Sequence, residues 1–402
     1  MCSTPLYALS PTSSEVTLYD DSTSSSLPQW IYTTKHMRID LGTRMWGSHV
    51  PCYGLNGNIE GSIRFSGNPS TVSKVTVALQ VQVTTSEQRS FTLLSRTVPV
   101  YTPFSASSTQ WNDDCAFSLP IPSEIYSNGG ISVMPPSFSY HSYDATCEVS
   151  YFVKVCMVRK RNGFNTHESR LIPIMYLPKS EPCQVQSAES KTEMMSLKPM
   201  TPQWSGSKKG RQRAGTLGDF DDAVHVSISS TNLASGAGIP FSVKIDTAKH
   251  PVLNQVSDKN IHVALVNRVS LWSSSGSSKP VSSEYQISSG SVLRKDGSQS
   301  SLVFQGSIQA GCAGEENSWR LNGVVSVEYI LRISVIAPRN LLGQLPTFHH
   351  DSVITLASDE YGTSWREMKE SCGVPAPALG LWSNSCSESS EEAIAFAYVF
   401  VC

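Results

Sequence analysis

Apolar residues recur at every second position along much of this chain, and two stretches do so in related form. Val149-Ser150-Tyr151-Phe152-Val153-Lys154-Val155 and Val327-Glu328-Tyr329-Ile330-Leu331-Arg332-Ile333 both centre on a tyrosine with a basic residue three places after it. Successive side chains of a strand point to opposite faces, so each stretch predicts a strand with one face in a core. The cleanest alternation is Lys74–Thr84, with Val75, Val77, Leu79, Val81 and Val83 on one side and polar residues on the other. Further strands are expected at 54–65, 91–100, 115–119, 148–158 and 170–175. A second series is expected at 224–228, 241–245, 261–265, 302–308, 324–336 and 352–356. Turn-forming pairs such as Asn162-Gly163 punctuate the first series, and helical periodicity is almost absent. This pattern predicts an all-β protein of two antiparallel sandwiches in tandem.

Length agrees, because 402 residues exceed what one hydrophobic core usually serves. The pattern divides the chain into a disordered tail at 1–27, a β-domain at 28–182, and a basic flexible linker at 183–222. A second β-domain follows at 223–360, then a C-terminal tail at 361–402. The first segment is Ser/Thr/Pro-rich and too polar to offset its ordering entropy.

Charge narrows the function classes. Asp, Glu, Lys and Arg make up 16% of the chain and nearly cancel to −2, so no global field marks a nucleic-acid binder. Aromatic residues are not interleaved with basic ones as stacking on bases requires. Local charge differs: 12 Lys/Arg stand against 4 Asp/Glu from Lys154 to Arg213. Arg159, Lys160 and Arg161 lie at an expected hairpin tip, and Lys208, Lys209, Arg211 and Arg213 lie in the linker. These seven are the candidate contacts for anionic lipid or phosphate, each bringing about 1 kcal/mol near an anionic leaflet.

Catalytic and metal readings find little support in the residues. His349-His350-Asp351 is read as a polar loop, since adjacent strand residues face apart and do not share one ion. Asp113-Asp114 and Asp221-Asp222 suit turns, and His141 with Asp144 lacks a nucleophile elbow. No phosphate loop or dinucleotide fingerprint occurs. Neither an enzyme nor a cofactor is expected. The ten cysteines form no CxxC or dense framework and are read as reduced thiols. The first thirty residues carry no Lys or Arg and no apolar run, so no signal peptide is expected. The apolar end Ala393–Cys402 is shorter than a bilayer span. Together with the lack of usable N-glycosylation sequons, these features lead to the expectation of a cytoplasmic protein, peripheral at the plasma membrane or endosomes.

Several short motifs stand in one order: Pro51-Cys52-Tyr53-Gly54-Leu55, Glu60-Gly61-Ser62-Ile63, Phe117-Ser118-Leu119-Pro120, Met134-Pro135-Pro136-Ser137-Phe138, and Ile172-Pro173-Ile174-Met175-Tyr176-Leu177-Pro178. Gly238-Ile239-Pro240-Phe241-Ser242-Val243 follows in the second half. In these the chain resembles arrestin-like proteins of the α-arrestin branch, particularly the fungal type, over about 30–182 and more loosely over 223–358. The resemblance implies two immunoglobulin-like sandwiches and a non-enzymatic adaptor. Such an adaptor binds the cytoplasmic regions of membrane transporters or receptors and links them to endocytosis, often through a HECT-type ubiquitin ligase. Ligase recruitment uses Pro-Pro-x-Tyr, whereas here Pro135-Pro136 is followed by Ser137-Phe138, so any ligase contact would be indirect. The alternative reading is a carbohydrate-active or lectin-like sandwich in which Trp111, Trp272 and Trp319 stack on sugars.

Overall fold

A computed structural model describes residues 28–66, 71–86, 90–102, 114–127, 130–143, 145–161, 164–183, 193–200, 220–272, 279–298, 300–341, 345–371 and 373–381. The described structure is mostly β, in several antiparallel sheets with one helix. The first half holds β1 (Gln29–Thr33), β2 (Met37–Thr43), β3 (Cys52–Tyr53), β4 (Asn58–Phe65), β5 (Val72–Thr85) and β6 (Ser90–Tyr101). It continues with β7 (Cys115–Pro120), β8 (Glu124–Ser127), β9 (Gly130–Val133), β10 (Phe138–His141), β11 (Thr146–Arg161) and β12 (Phe164–Tyr176). The second half holds β13 (Glu193–Ser196), β14 (Lys198–Met200), β15 (Val224–Ile228), β16 (Asn232–Ala234), β17 (Gly238–Asp246) and β18 (Ile261–Leu271). Then come β19 (Val281–Ser289), β20 (Ser291–Gly297), β21 (Ser301–Gln309), β22 (Trp319–Leu321), β23 (Val325–Val335), β24 (Thr347–Ala357) and the helix α1 (Thr363–Glu370).

Each half contributes a smaller and a larger sheet. The first half gives the order β1-β2-β4-β7 and the order β3-β12-β11-β5-β6, with β10 also paired to β11. The second gives β13-β15-β17-β21-β20 and β14-β24-β23-β18-β19, with β16 added to β24 and β22 to β23. β8 and β9 pair only with each other. The pairings are antiparallel apart from β3 with β12 and β16 with β24.

The repeated tyrosine strands occupy equivalent places. β11 lies between β12 and β5, and β23 lies between β24 and β18, so each is central in its larger sheet. Strands covered on one face and paired on both edges bury their alternate residues completely. Val75, Val77, Leu79, Val81 and Val83 of β5 have no exposed surface, and neither do Ile39, Ile59 and Ile63 of the smaller sheet. All eight belong to one hydrophobic cluster. Each such side chain contributes about 2 kcal/mol through burial.

Several segments differ from the sequence expectation. His349, His350 and Asp351 lie inside β24, not in a loop before it, because β24 begins at Thr347 and pairs with β23 from Phe348 onward. Residues 193–200, within the segment read as linker, form β13 and β14, each paired to a strand of the second half. Thr363–Glu370, read as tail, is helical. β19 and β20 had no sequence counterpart, since Ser, Glu, Gln and Lys dominate them and most of their residues are exposed. Gly290 joins them where the backbone passes close to other strands. A Cβ there would lie 2.9 Å from Val263 and 3.1 Å from the Phe241 ring.

Candidate functional site

The register of three strands builds one basic face at an end of the first half. On β11 the core takes Tyr151, Val153, Val155 and Met157, so the intervening Phe152, Lys154, Cys156, Val158 and Lys160 point to the other side. Val158 stands opposite Lys74 of β5 and opposite His167 of β12. Lys160 is one step further along the same side, and Lys154 two steps back from Val158. Lys74, Lys160 and His167 are exposed, and Lys154 is half-buried. Among the described residues, none of Lys74, Lys154 and Lys160 takes part in an ion pair within 4.0 Å.

The opposite side of the same hairpin end carries further cations. Arg159 is held by Thr71, whose Oγ1 accepts from Nη2 at 3.0 Å. The β1–β2 turn leans on β12 four positions from the tip. There the Glu168 carboxylate accepts from His36 N at 2.9 Å, contacts His36 Nδ1 at 2.7 Å, and accepts from the Thr34 hydroxyl. Burial opposes ionisation of Glu168, but the bonds from Thr34 and His36 outweigh it and hold the carboxyl below its ordinary range. That turn carries exposed Lys35. The nearby acid is thus satisfied by its own neighbours and does not neutralise the lysines. At the tip Phe164 has the parity of core-facing Ile172 and Ile174, yet it is 76% exposed because it lies past the covered part of the sheet.

The seven candidate contacts divide accordingly. Lys160 belongs to this face, Arg159 stands on the opposite side of the sheet across from Val72, and Arg161 is the last residue of β11, paired with Phe164. Lys208, Lys209, Arg211 and Arg213 lie outside the described residues. Lys35, Lys74 and Phe164 were missed because residues 74 and 160 become neighbours only through the pairing of β5 with β11. The alternation did place Lys74 on the polar side of its strand, which was the one available sign.

The larger sheet of the second half shows the opposite use of charge. Glu284 of β19 accepts from Arg268 of β18 at 2.6 Å and from Arg332 of β23 at 3.0 Å. Arg332 also holds Asp351 of β24 at 2.9 Å, which His349 Nε2 approaches at 3.1 Å. These bonds depress the carboxyls of Glu284 and Asp351 and raise the Arg332 guanidinium. Every arginine of this chain of contacts is matched, so it offers no cation to a ligand. His350 turns to the other side, where Nε2 lies 3.1 Å from Met195 Sδ.

A second polar cluster lies where residues 177–181 meet residues 357–381. Lys179 Nζ donates to Asp359 at 2.9 Å and to Glu367 of α1 at 2.7 Å. Ser180 N donates to Ser358 Oγ at 3.0 Å. The two oxygens of Glu181 accept from N–H groups of Gly362 and Ser364 at 2.8 and 2.7 Å, capping the start of α1. Beside it a cavity of about 550 Å³ is bounded by Trp46, Lys179, Glu367 and residues 376–380. Ala378 N donates to the Leu177 carbonyl at 2.9 Å, and Leu381 packs by Cys52 and Met175. This cluster ties both halves to the segment after β24.

Other candidate groups are engaged structurally. Asp222 sits at a turn with φ 62°, and Asp114 forms a paired contact with Arg64 at 2.7 and 2.8 Å. His141 bonds Ser139, and Asp113 and Asp144 lie outside the described residues. Trp319 meets the Phe138 ring edge-on at 5.0 Å, Arg320 lies over the Trp272 ring, and Trp111 is outside the described residues. Pro135 and Pro136 are buried, and the Pro135 carbonyl accepts the Tyr151 hydroxyl. The described cysteines are free thiols. Among the described residues no group of three or more His, Cys, Asp or Glu is placed to hold a metal, and no helix is long and apolar enough to cross a membrane.

No protein-family model matches the chain, and no curated protein sequence matches it.

Proposed function

We propose that this chain is a non-enzymatic, arrestin-like adaptor made of two immunoglobulin-like sandwiches in tandem. It binds the cytoplasmic region of a membrane transporter or receptor and links that cargo to trafficking machinery. The observation that carries this reading is the basic face formed by Lys74, Lys154 and Lys160 on three paired strands, none of them in an ion pair among the described residues. Cytoplasmic segments of membrane proteins lie beside an anionic surface, and a preformed basic face favours docking there. The collinear motifs of the resemblance and the paired placement of Tyr151 and Tyr329 support the same architecture.

Without a Pro-Pro-x-Tyr sequence, ubiquitin-ligase recruitment runs through a third protein. Proximity labelling from the full-length chain in its own cells tests the reading. Enrichment of membrane transporters or receptors with ligase or coat components is the expected outcome. A neighbour set of soluble enzymes or secreted glycoproteins overturns it.

A further inference from the structure

We infer that the β11–β12 hairpin end is a lipid-surface contact in which Lys35, Lys74, Arg159 and Lys160 meet anionic headgroups and Phe164 enters the interface. The inference rests on the adaptor reading for its setting but on separate observations for its content. The cations come from three sequence-distant places, the β1–β2 turn, the start of β5 and the hairpin tip, and pairing brings them to one end. Among the described residues Lys35, Lys74 and Lys160 have no ion-pair partner, and the one acid beside them, Glu168, is spent on Thr34 and His36.

Phe164 decides between a membrane and a soluble anion. A phosphorylated peptide would be recognised by the cations alone, whereas a bilayer rewards an exposed aromatic ring set among cations. Exposure by itself is common on this surface. Leu293 is 75% exposed, but its neighbours Arg294 and Lys295 are taken by Asp296 and by the Val256 carbonyl. Phe164, 76% exposed, pairs with Arg161 at the tip and has the parity of Arg159, so the ring ends the hairpin between the two sides that carry these cations.

Vesicle flotation of the full-length protein tests this, with phosphatidylcholine alone and with added phosphatidylserine, at low and high salt. Binding is expected only with phosphatidylserine and only at low salt. Each of Lys35→Ala, Lys74→Ala and Lys160→Ala should weaken it roughly fivefold. Phe164→Ser should weaken it several-fold, with an unchanged urea midpoint as the folding control. Equal binding to phosphatidylcholine alone, or no binding at low salt, overturns the inference. So does an unaffected Phe164→Ser variant displaced fully by a phosphoserine peptide, which would make the face a peptide site. If flotation fails while proximity labelling still returns transporters, the lipid inference falls and the adaptor reading stands.

Discussion

The Tyr329 hydroxyl donates a 2.6 Å hydrogen bond to Glu316 Oε2, and both residues are buried. The same hydroxyl accepts from Asn317 N at 3.3 Å. The loop before β22 is thereby pinned to the centre of the larger sheet in the second half. Tyr151, its counterpart in the first half, reaches a backbone carbonyl at Pro135. One strand pattern has been used twice, with a carboxylate as acceptor in one copy and a peptide oxygen in the other.

That difference predicts unequal costs for removing the hydroxyl. A hydrogen bond to a charged group contributes about 2 kcal/mol and a neutral one about 1 kcal/mol. Tyr329→Phe should therefore lower stability about twice as much as Tyr151→Phe. Urea unfolding of the two variants under one condition measures this. Equal midpoints would show that Glu316 is held by its other contacts.

Thiol reactivity offers a second test. Cys183 and Cys312 are both exposed. The charge of Glu315 beside Cys312 raises its thiol above the ordinary range, and the thiolate is the reacting form. Burial pushes Cys147 up to about 12. Alkylation near pH 8, read peptide by peptide, should modify Cys183 first, Cys312 more slowly and Cys147 only after unfolding. Glu315→Gln should speed Cys312 alone.

Legibility followed burial. β5 could be read from the chain because five apolar residues at alternate places all enter the core. β19 and β20 could not, since they are held by backbone pairing to β18 and β21 and expose most side chains. α1 is eight residues long with a mean composition that is polar, and what docks it is Lys179 and Glu181, nearly two hundred positions away. The candidate site divides the same way. Arg159 and Lys160 are adjacent in sequence and therefore visible, whereas Lys74 joins their end of the sheet through strand register and Lys35 through the hydrogen bond of its turn to Glu168.

The Glu181 cap gives a pH dependence with a definite sign. Burial opposes its ionisation, but the bonds from Gly362 and Ser364 hold the carboxyl below its ordinary range. A group depressed in the folded state adds stability that is complete above the unfolded value of about 4.3 and is lost as pH falls through the folded value. Wild type should therefore exceed Glu181→Gln by about 1 kcal/mol at neutral pH. Below about pH 4 the gap should close as the Glu181 carboxylate takes up a proton and becomes neutral like the amide. Denaturant midpoints of the pair across pH measure it, and a gap independent of pH would mean that shape, not charge, caps α1.

Lys179 and Lys160 are both lysines of the first half, but removing them should have opposite consequences. Lys179 is 11% exposed and bridges Asp359 and Glu367, so its loss leaves two partly buried carboxylates facing each other. Breaking such a pair from one side costs roughly 3 kcal/mol. The helix α1 and residues 376–381 should loosen with it, because Glu367 is the side chain that α1 gives to this cluster. Lys160 is exposed with no acid beside it among the described residues, and Lys160→Ala should stay within about 0.5 kcal/mol of wild type. Hydrogen exchange of 362–371 separates the two: it should rise for Lys179→Met and stay unchanged for Lys160→Ala. If both variants leave that segment protected, the hydrogen bonds of Ser180 and the Ala378–Leu177 contact hold the junction without the ion pairs.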